Sequence, residues 1–208
     1  MKLLVALALL FGAGSARGAE SAEELDLAGE EDLGEEETRP RHESGARFGL
    51  SLLGAKALGS TGRAVAPGIG GGMWMGYEAV VGPTGIVPRL SFQYIRYLTG
   101  ESQSEGLTVE TNASTITLFP GMALTVRAPA RPWVGFGFGY GRVRVHDEAG
   151  GFAGTSRDTG FGVGVQGGIE FRVSEETLLG LAGDWTRVFT QPRSTSWTTW
   201  GFSATFLL

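Results

Sequence analysis

The chain of 208 residues contains no cysteine. Disulfide staples, thiolate metal sites and an N-terminal lipidated cysteine are therefore excluded. Histidine is nearly as scarce: only His42 and His146 occur, and neither stands at a metal-ligand spacing. Long apolar runs are missing as well. Leu3–Phe11 is too short to cross a bilayer as a helix, and no other window reaches the roughly twenty residues required. Aromatic residues are absent from 20–45, where eleven acids crowd together from Glu20 to Glu43. Such a stretch cannot bury a core and is expected to be disordered.

Glycine, by contrast, is abundant at 35 residues, without a collagen-like triplet. Mean hydropathy is near zero, at +0.04. The formal net charge of −5 comes from the acidic stretch. From residue 46 onward thirteen Lys and Arg face eleven Asp and Glu, so that part is near +2. The organisation expected is a signal peptide over 1–18, an acidic periplasmic segment over 19–45 and one domain over 46–208. The first part rests on Lys2, the apolar Leu3–Phe11 core and the small residues after it, with cleavage at Gly14-Ser15-Ala16 or Ala16-Arg17-Gly18.

Within the domain one pattern recurs four times: apolar residues at every second position, then a cation in the same phase. Phe48, Leu50, Leu52 and Gly54 lead to Lys56. Leu90, Phe92 and Tyr94 lead to Arg96; Val134, Phe136, Phe138 and Tyr140 lead to Arg142 and Arg144; Leu179, Leu181, Gly183 and Trp185 lead to Arg187. A period of two places each set on one face of an extended strand. The order oil, aromatic, positive charge is what a strand meets on leaving hydrocarbon through an anionic headgroup layer.

Turn signals at Gly82-Pro83-Thr84-Gly85, Arg127–Pro132 and Val173–Glu176 divide the domain into eight strands, near 46–56, 67–78, 86–97, 111–126, 132–146, 158–172, 177–189 and 196–208. The alternate connections, 57–66, 98–110, 147–157 and 190–195, are longer and more polar. The fold class predicted is all-β: an eight-stranded antiparallel up-and-down transmembrane β-barrel. The four patterned strands are the first, third, fifth and seventh, so all their cations fall at one rim. An even strand count puts both ends of the domain on the other, periplasmic side.

The last strand carries Trp200, Phe202, Ala204, Phe206 and Leu208 in one phase. Here the chain resembles the outer-membrane β-barrel superfamily, specifically the small eight-stranded group of the OmpA and OmpX type, over 46–208 and in its leader. The resemblance implies location in the outer membrane of a Gram-negative-type envelope. It also implies that Trp200, Phe202, Phe206 and Leu208 present a terminal-strand signal to the barrel assembly machinery. Members usually end on an aromatic residue; Leu208 departs from this, with Phe206 two positions before it.

Alternation alone leaves open which face meets lipid. A soluble barrel of lipocalin type would turn the apolar residues inward. The opposite face decides, because it carries Arg89, Ser91, Gln93, Gln166, Glu170, Asp184 and many glycines, a poor surface for water but a fitting lining for a narrow lumen. Arg89, Gln93, Gln166, Glu170 and Asp184 are expected to form a polar network in that lumen, with Arg89 and Glu170 near its periplasmic end. Gly135, Gly137, Gly139 and Gly141, beside Gly160, Gly162 and Gly164, would leave room for Arg89, Gln93, Trp74 or Phe119 to cross. The rim cations Lys56, Arg96, Arg142, Arg144 and Arg187 are candidates for contact with lipid phosphates, including those of lipopolysaccharide.

Three further motifs are weaker. His146-Asp147-Glu148 lacks a nucleophile at a defined spacing, so catalysis is not expected. Gly162-Val163-Gly164-Val165-Gln166-Gly167 matches a dinucleotide-binding pattern, which needs a strand-turn-helix context that this alternating strand lacks. Asn112-Ala113-Ser114 fits a glycosylation sequon without meaning in a bacterial-type export product. No cofactor, metal or nucleic-acid partner is expected. The acidic segment offers a surface for a basic periplasmic partner. The function expected is a non-enzymatic barrel with an envelope-structural or surface-interaction role. A narrow channel for ions or small polar solutes is the alternative, and a lipid-modifying hydrolase the second one.

Overall fold

The computed structural model describes residues 44–104, 106–191 and 194–208. The expectations for 1–18 and for 19–43 lie outside these residues. The described chain forms eight strands: β1 Gly45–Leu58, β2 Gly68–Val81, β3 Thr84–Ser104, β4 Leu107–Val126, β5 Ala130–Ala149, β6 Phe152–Arg172, β7 Thr177–Phe189 and β8 Ser194–Leu207. A single helical turn, α1 (Thr61–Ala64), interrupts the connection between β1 and β2. Each strand pairs antiparallel with its neighbour in sequence. The ring closes where β1 pairs with β8, from Arg47↔Leu207 to Leu58↔Ser196.

The two faces separate by phase. Outward stand Leu50, Leu52, Met73, Met75, Leu118, Phe136, Phe138, Phe161, Leu181 and Phe202, all exposed. Phe136, Phe138, Phe161 and Phe202 are 55%, 51%, 54% and 70% accessible, so the soluble-carrier alternative, which needs them in the central cavity, is excluded. A large contiguous apolar exterior on a closed barrel is the surface of a membrane-spanning protein. The ambiguous second strand resolves the same way: Ile69, Met73, Met75 and Tyr77 face out, and Trp74 lies inside beneath the Arg89 guanidinium.

Two of the four connections expected to be long loops are not loops. β3 and β4 continue as a ribbon to the pair Ser104↔Leu107, and β5 and β6 to Ala149↔Phe152. Gly150 and Gly151 both have positive φ, at 55° and 86°, the requirement of the two-residue turn that best matches strand twist. The ribbons rise beyond the rim, where both faces meet water, so the hydrophobic alternation that marks a strand is lost although the pairing persists. The part of β6 before Phe161 has no partner on the β7 side, and Glu101, Ser102, Gln103 and Ser104 have none on the β2 side.

Inward-facing residues change character along the barrel. On β3 they run Val87, Arg89, Ser91, Gln93, Ile95, Tyr97 from the periplasmic to the external end. The external end is a dry apolar cluster of Ala55, Ala57, Val65, Ile95, Tyr97, Ala113, Val143, Val188 and Trp197. Glycine and charge therefore line the periplasmic and middle parts of the lumen, and apolar side chains fill its outer part. Leu52→Arg, which drives a cation into the lipid-facing belt, is expected to cost about 2–4 kcal/mol at mid-membrane depth. Urea titration of the barrel folded into bilayers measures that cost.

Candidate functional site

The lumen is filled in successive tiers, each built by the inward phase of several strands. At the periplasmic end Glu78, on β2, is fully buried. It forms ion pairs with Arg47 of β1 and with Arg131 of β5, the latter at 2.8 Å, and accepts a hydrogen bond from Thr125 Oγ1 at 2.9 Å. Two cations on one carboxylate leave positive charge over, and Glu170 of β6 stands in the same cavity with Arg47, Arg89 and Arg131. Glu170 accepts a hydrogen bond from Thr205 Oγ1 at 2.8 Å. Arg47, Arg89 and Arg131 thereby face Glu78, Glu170 and Asp184 in the interior, three of each sign, with Arg172 half-buried at the periplasmic end near Arg47.

Arg89 forms the next tier. Its guanidinium lies over the Trp133 ring at 4.7 Å and the Trp74 ring at 5.6 Å, and donates to Gln166 Oε1 at 2.7 Å. Cation–π contacts of this kind gain strength when desolvated. Above it Asp184 accepts from Gln93 Nε2 at 2.6 Å, from Thr186 Oγ1 at 3.1 Å and from Thr199 Oγ1. Arg89, Gln93, Gln166, Glu170 and Asp184 all line the lumen, and their hydrogen bonds fall into three sets rather than one network: Gln93 pairs with Asp184. Arg89 takes Gln166 as its hydrogen-bond partner, while Glu170 takes Thr205.

Phe119 blocks the path between these polar tiers and the apolar cap. It is 3% exposed and points inward, breaking the polar phase of β4. Three glycines make its seat. A Cβ placed on Gly137, Gly162 or Gly164 would stand 3.1, 2.8 or 3.2 Å from the Phe119 side chain. Gly162 and Gly164 of the dinucleotide-like pattern thus make room inside the lumen from within a strand, and form no phosphate turn.

Sequence reasoning did not single out Arg47, Glu78, Thr125, Arg131 or Trp133. The signal was present in the phase: Arg47 alternates with Phe48 and precedes Gly49 and Ser51 on the inward face, and Glu78 follows Trp74 and Gly76. Both charges sit near strand ends, where a reach to water is the simpler reading.

On the outer wall Lys56, Arg96, Arg142, Arg144 and Arg187 are all exposed at the external rim. They do not form one girdle. Arg187 lies over the Phe189 ring at 5.1 Å and donates to Ser194 Oγ at 2.9 Å. Arg96, Ser114, Arg144 and Arg157 align across β3, β4, β5 and β6 in direct register, with Arg142 two pairs nearer the membrane on the same face. His146 shares a hydrogen bond between its Nδ1 and Thr155 Oγ1 at 2.8 Å. Among the described residues no group of three or more His, Cys, Asp and Glu is placed to hold a metal. On β8, Trp200 and Phe202 face outward, Phe206 stacks on Phe48 with centroids 6.5 Å apart, and Leu208 is exposed.

No family model matches the chain, and no curated protein does. Solved structures do match. Neisserial surface protein A (NspA) aligns with a TM-score of 0.52 at 18% identity, covering 79% of this chain and 98% of that one. Ail, the attachment invasion locus protein of Yersinia pestis, solved with the heparin analogue sucrose octasulfate, aligns with a TM-score of 0.55 at 12% identity, covering 80% and 99%. The chain has the fold of a small outer-membrane β-barrel of the OmpA and OmpX type. At these identities the likeness reaches the fold, and what occupies the wall and lumen is read from this chain's own residues.

Two substitutions test the lumen. Glu78→Gln leaves Arg47 and Arg131 buried without their counter-charge and is expected to cost about 3–5 kcal/mol. Phe119→Ala leaves an unfilled seat between Gly137, Gly162 and Gly164, at about 3–5 kcal/mol. Both losses are read from the urea midpoint of the barrel in bilayers, with unchanged slope.

Proposed function

We propose that the chain is a non-conducting, non-enzymatic barrel of the outer membrane of a Gram-negative-type envelope. Its role is envelope-structural or one of surface interaction, carried by the outer wall and the external ribbons rather than by the lumen. The observation that carries this reading is the filled interior. The Glu78 ion pairs, the Arg89–tryptophan stack, the Asp184 cluster, Phe119 and the Trp197–Tyr97 cap follow one another along the axis. An eight-stranded barrel is only just wide enough to be filled by its side chains, and this one uses large ones.

The ribbons formed by β3 with β4 and by β5 with β6 present polar surface and two unpaired edges beyond the rim, which suits contact with external partners. Ail, a protein of the same fold, is named for attachment and was solved with a sulfated polyanion. That precedent supports a surface role without specifying this chain's partner. Outer-leaflet lipids, including lipopolysaccharide, surround the wall, and Trp200, Phe202 and Phe206 of β8, with Leu208 just after it, present the strand to the assembly machinery. Against catalysis stands the setting of His146, whose hydrogen-bond partner is a threonine hydroxyl on the neighbouring strand rather than a carboxylate.

Planar-bilayer recording tests the reading. The wild-type barrel is expected to give no stepwise conductance at moderate voltage in molar salt. Reproducible single-channel steps overturn it in favour of a narrow channel.

A further inference from the structure

The outer wall holds a second feature that the filled lumen does not explain. Arg144 and Arg157 are directly opposed cross-strand neighbours on β5 and β6. Like charges directly opposite each other destabilise a sheet. Arg96 lies in the same row beyond Ser114, and Arg142 lies two pairs below Arg144 on the same face. Among the described residues no salt bridge reaches any of these four. Tyr94, Ser114, Ile116, Arg142, Arg144 and Arg157 line one concavity on the outer wall, and Arg96 and His146 line an adjoining one with Tyr94, Ser114 and Arg144. Ser114, the smallest side chain in the row, forms the floor between the arginines. The acids in the same phase, Glu101, Glu110 and Glu148, pair across β3, β4 and β5 two rows further out and so stand on the water side.

Depth selects the occupant. Tyr94 and Tyr140 end the apolar phase of β3 and β5. At about 3.4 Å per residue along a strand, Arg142 and Arg144 stand about 7 and 14 Å beyond Tyr140. That is the layer in which lipid headgroups lie when the aromatic belt sits at the hydrocarbon boundary. Ile116 and Tyr94 continue the floor downward as apolar wall, which gives acyl chains a path that free phosphate would not need. A guanidinium fork matches phosphate oxygens in pairs, and a phosphomonoester, at about −1.5 to −2 near neutral pH, offsets up to two arginines.

We propose that the outer wall of β3–β6 is a binding site for the phosphomonoester headgroup of an outer-leaflet lipid, held by Arg142, Arg144 and Arg157 over Ser114, with Arg96 at its edge. The site rests on the outer-membrane placement argued above and converts a diffuse rim of cations into one lipid position. Lys56 on β1 and Arg187 on β7 lie outside it.

Native mass spectrometry of the folded barrel released from detergent tests the site with lipid A that carries both phosphates. The wild type is expected to retain one lipid, and to retain the dephosphorylated form at least tenfold less. Arg144→Gln with Arg157→Gln is expected to weaken retention at least tenfold. Arg157→Gln alone, on an exposed ribbon where folding does not depend on it, weakens it several-fold, and Arg63→Gln on α1 leaves it unchanged. Retention by the Arg144→Gln with Arg157→Gln variant equal to that of the wild type, or equal retention of the dephosphorylated lipid, overturns the proposal. Inorganic pyrophosphate retained as strongly as the lipid overturns the lipid source and leaves a soluble phosphate site. Migration of unboiled protein on a gel reports that each variant is folded. The lumen reading stands or falls separately, on conductance.

Discussion

Hydrocarbon offers no partner to a backbone amide, so a sheet placed in it must satisfy every N–H and C=O within itself. The twelve-residue pairing of β1 with β8, from Arg47 to Leu58, meets that demand by abolishing both edges. The other features follow from this closure. Eight strands enclose a narrow interior, the period of two sends every second side chain into it, and the remaining side chains must suit lipid. Only beyond the bilayer is the demand lifted. There the ribbons of β3 to β6 keep free edges on both sides, because water can pair with the groups that no strand reaches.

The interior is where closure constrains sequence most. A lumen this narrow cannot hold a large side chain from every strand at one level, so bulk on one wall requires its absence on another. Phe119 from β4 occupies the space left by Gly137, Gly162 and Gly164, and Arg89 reaches across toward Gly135. Charge is constrained as tightly as volume. Removing one partner of a buried pair leaves an uncompensated ion, whereas a matched set is tolerated. The Arg47, Arg89 and Arg131 cations and the Glu78, Glu170 and Asp184 anions make such a matched set, distributed over six strands, which ties distant parts of the wall to one another.

The strand positions, the outward face and the rim cations were legible because each is written in the period of two. Phe136 and Phe138 against Gly135 and Gly137 state the phase without reference to any neighbour. What escaped depended on contacts between strands. Glu78 reads as a single acid at the end of a glycine-rich strand, and only closure shows that Arg47 and Arg131 converge on it. The pairing of Arg89 with Gln166 rather than with Glu170 is a matter of reach across the lumen. The external ribbons were taken for loops because water on both faces erases alternation, although Gly150-Gly151 marked a tight turn. The convergence of Arg96, Arg144 and Arg157 needed the register of three strand pairs at once.

The apolar cap follows from the same phase rule read past the membrane surface. Below the rim, Tyr94 faces out and Gln93 faces in; above it, Arg96 faces out while Ile95 and Tyr97 face in. Tyr140 gives way to Arg142 and Arg144 outside, and Gly139 and Gly141 to Val143 inside. Trp185 gives way to Arg187, and Asp184 to Val188 beyond Thr186. One closed sheet therefore meets two solvents. In lipid it is apolar outside and polar within; in water it reverses, as any soluble barrel does. The reversal needs no separate domain, because burying Ile95, Tyr97, Val143, Val188 and Trp197 stabilises the emergent part and fills the outer end of the lumen at once. It also forces the rim outward face to be polar just where headgroups lie, so the inversion that fills the outer lumen with apolar side chains is the same one that sets arginines at the rim.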